Sequence, residues 1–357
     1  MSIFTHPITA CVTGASGFVG SSVAVRFLEL GHSVRLPFRS QTQCNDWYAK
    51  YDSIYPGKLV TILLDRPMTE EGAFDEAVQG CDVVVHTASP LPGHFKGNHE
   101  EDILKPTREG TLSLLRSAKK VPSVKNVVAT TSGGAFATVA EIMGAGPDLV
   151  LTEKSWNSTT LEEALAMPVE YAQVVYMSGK AFAEKAAWEF VKQPNVTFSF
   201  STVAPSGVLG ECKTPGLTKL SDTTASFRQA WDGVFDQQEV PPFCPELFVS
   251  VNDVAHVHVE AALNPFVSNG HRYLTSIDDR YSWQQFIRTN LKFQPALKGR
   301  LPPLPDVPTD EEKPKAQYRI EAGLAEEHFN FKYEPFETFV KAYADQVYEL
   351  GKAEGLF

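Results

Sequence analysis

Residues 8–30 read ITACVTGASGFVGSSVAVRFLEL: a short apolar run, three glycines spaced three apart, then apolar residues at helical spacing. No other stretch restricts the fold as tightly. Glycines between a strand and a helix permit a tight turn and let an anionic ligand approach the backbone, where the helix start presents free N–H donors and positive dipole. A glycine trio alone is a weak signal. Placed at the junction of a first apolar run and an amphipathic helix, it predicts the opening β–α unit of a dinucleotide-binding sheet. Gly14, Ser16, Gly17, Phe18, Val19 and Gly20 are the expected pyrophosphate loop.

The pattern continues. HSVRLPF, KLVTILL, CDVVVHTA and VKNVVATT are further short runs rich in β-branched residues, each separated from the next by a helix-length segment. A sixth, VTFSFSTVAP (196–205), follows the helix that holds YMSGK. Alternating β and α of this kind implies an α/β fold, a Rossmann-type doubly wound parallel sheet with helices on both faces. Residues 206–245 break the alternation with Gly, Thr, Pro and aromatics, and LFVSVNDVAHVHVEAAL then reads as strand, Asn/Asp cap and helix. We therefore expect a nucleotide-binding domain over 1–205 plus about 246–275, and a smaller C-terminal substrate-binding lobe from about 206–245 plus 276–357. LPPLPDVPTDEEKPK (301–315) reads as an exposed Pro-rich connector.

Composition narrows the function. A formal net charge of −11 and the lack of a basic stripe disfavour nucleic acid. No apolar run approaches the roughly 18 residues that cross a bilayer, and the N-terminus lacks a signal-peptide pattern, so a cytoplasmic location without membrane partners is expected. Five cysteines without a CxxC fit reduced thiols, and no metal is expected. His256 and His258, two apart in a predicted helix, point to different faces and do not read as a metal pair.

Between Glu29 and Asp46 the chain has no acidic residue. A site for NAD usually places one there to hold the ribose 2′-OH. Arg39 stands there instead, and a guanidinium matches a 2′-phosphate, which favours NADPH over NADH. Asp65, beyond the third run, is placed to accept from an adenine amine or to cap the next segment.

Tyr176 and Lys180 lie four apart on one helical face. A phenol with a pKa near 10 is a poor acid/base group at neutrality, but a neighbouring ammonium stabilises its anion. Ser132, in TTSGGAF at the end of the fifth run, can polarise a carbonyl as an oxyanion hole does. The same Tyr-x-x-x-Lys spacing recurs at Tyr348 and Lys352, in a terminal helix without a strand-end serine, and reads there as a solvated helix face.

In order along the chain, GASGFVG, HTASP, TTSGG and YMSGK resemble the extended short-chain dehydrogenases/reductases. DILKPTREGTL, LTEKSWN and YMSGKAFAEKAAWEF are similar to the branch containing dihydroflavonol reductases and the fungal aldehyde, ketone and methylglyoxal reductases. The resemblance implies Ser132, Tyr176 and Lys180 as the catalytic trio, with Lys180 also holding the nicotinamide ribose. It adds Thr87, Ala88, Pro205 and Val208 to the cofactor site. Phe95, Phe136, Met177, Ser206 and Phe243 are the candidate substrate pocket, with His94 and Leu247 beside it. Departures are Ala204 where many members have Asn, Leu36 and Pro37 before Arg39, and Gln43 where some relatives carry a second basic residue. Glu109 replaces an Asn that is catalytic in other branches, and no catalytic role is assigned to it.

The resulting expectation is an NADPH-dependent carbonyl reductase acting on aldehydes or ketones, ketoesters and bulky or aryl ketones included, with NADH a weaker substitute. The rivals are an NAD-dependent nucleotide-sugar epimerase or dehydratase and a catalytically silent NADPH-binding regulator.

Overall fold

The computed structural model describes residues 4–90, 95–144, 149–241, 247–277, 279–306, 308 and 318–357. The strands are β1 (Thr9–Thr13), β2 (Ser33–Phe38), β3 (Leu59–Leu63), β4 (Val83–His86), β5 (Asn126–Thr130), β6 (Val150–Thr152), β7 (Ser199–Pro205), β8 (Gly207–Leu209), β9 (Phe248–Ser250), β10 (Arg272–Thr275) and β11 (Arg319–Glu321). The helices are α1 (Phe18–Glu29), α2 (Gln41–Tyr51), α3 (Asp75–Val78), α4 (Lys105–Lys119), α5 (Val139–Gly144), α6 (Leu161–Ala166) and α7 (Ala172–Val191). They continue as α8 (Ala225–Val234), α9 (Val251–Leu263), α10 (Pro265–Ser268), α11 (Trp283–Phe293), α12 (Leu324–Phe329) and α13 (Phe336–Ala353).

Seven parallel strands form one sheet in the order β10-β7-β5-β4-β1-β2-β3. The expected doubly wound sheet is therefore present. Its strands read as continuous apolar runs because both faces are covered. Successive side chains point to opposite faces: Ala10, Val12, Val83, Val85 and Val128 pack with α1, α2 and α9. Cys11, Val84, Val127 and Ala129 pack with α3, α4 and α7 on the other side. The chain reverses its winding between β1 and β4, and in open α/β sheets ligands bind at the carboxyl ends beside such a reversal.

A second body of packing lies beyond β7. Phe227, Trp231, Phe286, Phe339 and Tyr343, from α8, α11 and α13, form its core with Phe18. Two small parallel pairs, β8 with β9 and β6 with β11, sit outside the main sheet. The strand expected in LFVSV is β9, which pairs with β8 in this lobe, while α9 packs on the main sheet and β10 completes it beside β7. Ser250 caps α9 by accepting from the Asn252 amide, a place the sequence assigned to Asn or Asp. The run expected over 196–205 pairs from Ser199 onward. In the 301–315 stretch, expected as exposed, Leu301 is buried in the second core; residues 307 and 309–315 lie outside the described residues.

Candidate active site

The glycine loop is built by close approach. Gly14 has φ +74°, and a Cβ there would lie 2.6–2.7 Å from Thr87 Oγ1 and the Ala88 amide. A Cβ on Gly20 would collide with the Gly14 carbonyl, so this third glycine lets α1 rest on the turn after β1. Gly17 opens α1 with no side-chain cap and no acidic residue in the first turn. The N–H groups at such a helix start have no partner within the helix, so they present a row of donors to an anion. Ser16 and Val19 are half-buried at the rim. The Phe18 ring packs edge-on against Phe227 at 5.8 Å, so Phe18 offers a ligand its main chain only.

The floor between β1 and β4 is a polar relay. Thr87 Oγ1 donates to the Thr13 carbonyl (2.7 Å), the Ala88 amide donates to Thr13 Oγ1 (3.3 Å), and Thr13 Oγ1 meets His86 Nδ1 at 2.8 Å. Burial, and then the charge of Lys180, push the His86 pKa down to about 3. Among the described residues, His86 Nε2 is buried without a partner, as are Ser89 Oγ, Thr131 Oγ1 and Ser206 Oγ, all just at or past the carboxyl ends of β4, β5 and β7.

At the end of β2, Arg39 is exposed and forms no ion pair among the described residues. Asp65 is exposed after β3, and both its oxygens accept from Arg66 at 2.9 Å, which lowers its carboxyl pKa. The partner found there, Arg66, belongs to neither of the two readings of Asp65 from the sequence.

Ser132 lies two residues beyond β5 and opens a short 3₁₀ turn, where its Oγ accepts from the Gly134 amide at 3.2 Å. That leaves its O–H free to donate. The turn is wedged between two neighbours. A Cβ on Gly133 would lie 3.3 Å from the Pro205 carbonyl, and one on Gly134 would meet the Met177 side chain at 2.5 Å. The Ser132 loop, the Pro205–Ser206 corner and the α7 turn carrying Tyr176 and Met177 are thus brought together. Pro205 ends β7, and the buried Val208 lies in β8 just beyond the corner.

Lys180 is 6% exposed, and its Nζ donates to the Thr130 carbonyl at 2.7 Å. Burial draws its pKa down to about 8, and Glu184, one turn on, opposes the fall. Burial pushes the Tyr176 pKa up to about 12, and the neighbouring Ser89 hydroxyl, which has no partner of hydrogen-bonding geometry, pulls it partway back. The sequence led us to expect a phenol lowered by Lys180. In the protein alone the shift is upward, because the ring is desolvated and the ammonium bonds Thr130.

The pocket candidates divide. Phe95 stacks on His99 with centroids 5.0 Å apart and shares an apolar cluster with Tyr176 and Met167. Phe136 is 1% exposed with the Arg272 guanidinium 4.0 Å above its ring, so it belongs to the core and not to a pocket wall. Phe243 and His94 lie outside the described residues. Leu247 is buried and bridges to Arg280. Glu109 pairs with Arg108 and Arg116. His258 is buried and bonds Thr130 Oγ1 and the Val254 carbonyl, whereas His256 sits between Arg26 and Phe331. Among the described residues no group of three or more His, Cys, Asp or Glu is placed to hold a metal ion, and no helix is long and apolar enough to cross a membrane. Sequence reasoning missed His86, Ser89 and Thr131. Each sits inside a quoted motif, but a serine or threonine in a strand-end loop, or a lone histidine closing a strand, carries no spacing signal of its own.

Comparison with known proteins gives concordant matches. The model of the "NAD dependent epimerase/dehydratase family" matches residues 10–226. The chain is 30% identical over 293 residues to "Aldehyde reductase 2" of Sporidiobolus salmonicolor, covering 80% of this chain and 81% of that one. It is 30% identical over 353 residues to "Putative NADPH-dependent methylglyoxal reductase GRP2" of Candida albicans, covering 96% and 98%. The fold superposes on the crystal structure of yeast methylglyoxal/isovaleraldehyde reductase Gre2 complexed with NADPH with a TM-score of 0.84, at 25% identity, covering 98% of this chain and 100% of that one.

Proposed function

The chain belongs to the NAD dependent epimerase/dehydratase family, and from that premise we propose that it is an NADPH-dependent carbonyl reductase in which Tyr176 gives the proton and Ser132 and Lys180 assist. The observation that carries this reading is the convergence of a free Ser132 hydroxyl, the α7 turn of Tyr176 and the buried Lys180 at the carboxyl end of the sheet, beside the glycine loop. Relatives that reduce aldehydes and methylglyoxal support the substrate class.

The residues suit a dinucleotide. Gly14 and Gly20 let the turn after β1, the Thr87–Ala88 segment and α1 pack closely, and the uncapped α1 start supplies the donors a pyrophosphate needs. Ser16, Gly17, Val19 and the Phe18 main chain line that cradle, with Thr87 and Ala88 opposite. The buried polar atoms without partners, Ser89 Oγ, Thr131 Oγ1 and Ser206 Oγ, await a polar ligand at the same strand ends. Arg39 would hold the 2′-phosphate and Asp65 would accept from the adenine amine. Pro205 and Val208 flank the nicotinamide end.

When bound, NADPH supplies a hydride to the carbonyl carbon. The chain's own groups manage the oxygen. Ser132 donates to it and stabilises the charge that develops there. Tyr176 keeps its proton until that charge appears, because burial disfavours its anion, and then transfers it. Lys180 has three N–H donors, of which Thr130 takes one; the others are available to the ribose, and the charge stabilises the phenolate left behind. Phe95, Met177 and Ser206 border the substrate.

NADPH and NADH consumption with methylglyoxal, isovaleraldehyde, acetophenone and ethyl acetoacetate tests this. Wild type is expected to oxidise NADPH with at least one of the four, and Tyr176→Phe to bind NADPH normally while losing about 100- to 10,000-fold in kcat. A wild type that binds NADPH and reduces none of them, or a Phe variant of unchanged kcat, overturns the reading.

A further inference from the structure

One residue far from Ser132 in sequence controls the main chain of its loop. Asn157 is 2% exposed, and its amide donates to the Ala135 carbonyl (2.7 Å) while Nδ2 donates to the carbonyls of Gly134 (2.9 Å) and Ala137 (3.1 Å). Its Oδ1 accepts from the Thr159 amide at 2.9 Å, so both N–H groups and the oxygen of the side chain are engaged. Three carbonyls of the turn that begins at Ser132 therefore hang on a single asparagine. Lys185 Nζ, from α7, donates to the Asn157 carbonyl at 3.2 Å.

The segment that carries Asn157 is itself pinned. Arg272 of β10 donates through Nη1 to the carbonyls of Glu153 (2.9 Å) and Ser155 (2.7 Å). Its guanidinium lies 3.5 Å from the Trp156 ring and 4.0 Å from the Phe136 ring. Through Nε and Nη2 it forms a bidentate pair with Glu184 at 2.7 and 3.0 Å, and Glu184 also accepts from Thr202 Oγ1 at 2.7 Å. Glu184 sits on α7 one turn beyond Lys180 and two beyond Tyr176. A buried ion pair is weak evidence for net stability compared with apolar packing, so the geometry it enforces is its more informative property. Here it ties the helix of Tyr176 and Lys180 to the segment that holds the Ser132 loop.

We propose that Asn157 is a positioning residue for the reduction, holding Ser132 in register with Tyr176 through a buried brace whose other members are Arg272 and Glu184. This rests on the reading of Ser132 as the carbonyl donor. Asn157 touches neither cofactor nor substrate and acts only through the loop. Its effect on turnover must then vanish when Ser132 has no hydroxyl to place.

A double-mutant cycle reads that dependence. Asn157→Ala, Ser132→Ala and the double variant are compared for kcat and KM with the best of the four carbonyl compounds. NADPH affinity and binding stoichiometry are measured by fluorescence, with turnover expressed per NADPH-binding site. Asn157→Ala is expected to lower kcat about tenfold to hundredfold, as a displaced reacting group does, with NADPH affinity within about twofold. The primary isotope effect with 4-deuterated NADPH is expected to rise towards its intrinsic value. The double variant is expected to be no slower than Ser132→Ala by more than about twofold. Losses that multiply in the double variant, or a kcat loss that disappears when expressed per binding site, overturn the proposal while leaving Ser132 its role. A Ser132→Ala variant as fast as wild type removes the reading of Ser132, and this proposal with it. If Asn157→Ala does not fold, Arg272→Lys, which keeps a cation beside Glu184 but loses the fork, enters the same cycle with the same expected non-additivity.

Discussion

The chain carries Tyr-x-x-x-Lys twice, at Tyr176/Lys180 on α7 and at Tyr348/Lys352 on α13, and the two copies live in different worlds. Lys180 is buried against the Thr130 carbonyl at the end of β5, and Tyr176 lies beside Ser89 beyond the end of β4. Lys352 is exposed and lies 6.0 Å over the ring of Tyr348, which itself packs on Phe357 at 5.7 Å. Helical spacing makes the two side chains neighbours in both cases. What separates them is where the helix rests. α7 lies on the main sheet with its Tyr176 turn at the carboxyl ends of the strands, whereas α13 closes the second core. Desolvation moves the α7 pair far from solution behaviour, and a group with a shifted pKa in a crevice lined by partnerless polar atoms is a candidate for chemistry.

The comparison breaks most sharply at the tyrosines. Against the large loss expected of Tyr176→Phe, Tyr348→Phe is expected to keep kcat within about twofold, since a hydroxyl on a half-exposed ring away from the crevice serves no reacting group. Equal losses in the two variants, at equal NADPH-binding stoichiometry, would remove the contrast.

The lysines sharpen it through pH. Lys180 is an ammonium below about pH 8 and loses its charge as pH rises through that value, while Tyr176 stays protonated up to about 12. Wild-type kcat/KM is therefore expected to fall above about pH 8. Lys180→Met is expected to be about 100-fold slower and to lack that alkaline limb, whereas Lys352→Met keeps both rate and profile. A limb that survives in Lys180→Met belongs to another group.

The smallest effect falls on cofactor choice, outside both helices. Arg39→Ala is expected to weaken NADPH binding by about tenfold or more and leave NADH binding nearly unchanged, the worth of one charge-assisted pair to a phosphate. Parallel losses for both nucleotides would mean that Arg39 shapes the loop and does not read the phosphate.

How much of this was legible in the chain follows the distance over which each feature is built. The glycine loop was legible because Gly14, Gly17 and Gly20 act within one turn and one helix start. The seven-stranded sheet was legible as apolar runs except for β10, whose RYLT carries no such run, and of the small outside pairs only β9 was read, in LFVSV, while β6, β8 and β11 span three residues each. Phe136 was misplaced because an aromatic beside a loop looks the same whether it faces a ligand or lies under an arginine 136 positions away. The upward shift of Tyr176 was missed for a related reason. Spacing says that an ammonium is near, and only packing says that the ring has lost its water and that the ammonium bonds a carbonyl.

By itself, then, the sequence determined the β–α alternation, the anion-binding turn, the absence of an acid after β2 and two Tyr-x-x-x-Lys faces, because each is a property of a few consecutive residues. Only the tertiary structure decided which face is buried at the strand ends, that Asn157 holds the Ser132 loop, and that Arg272 joins Glu184 across 88 positions of chain. Those outcomes depend on desolvation and on hydrogen bonds between distant segments, and both come into being only when the sheet brings the segments together.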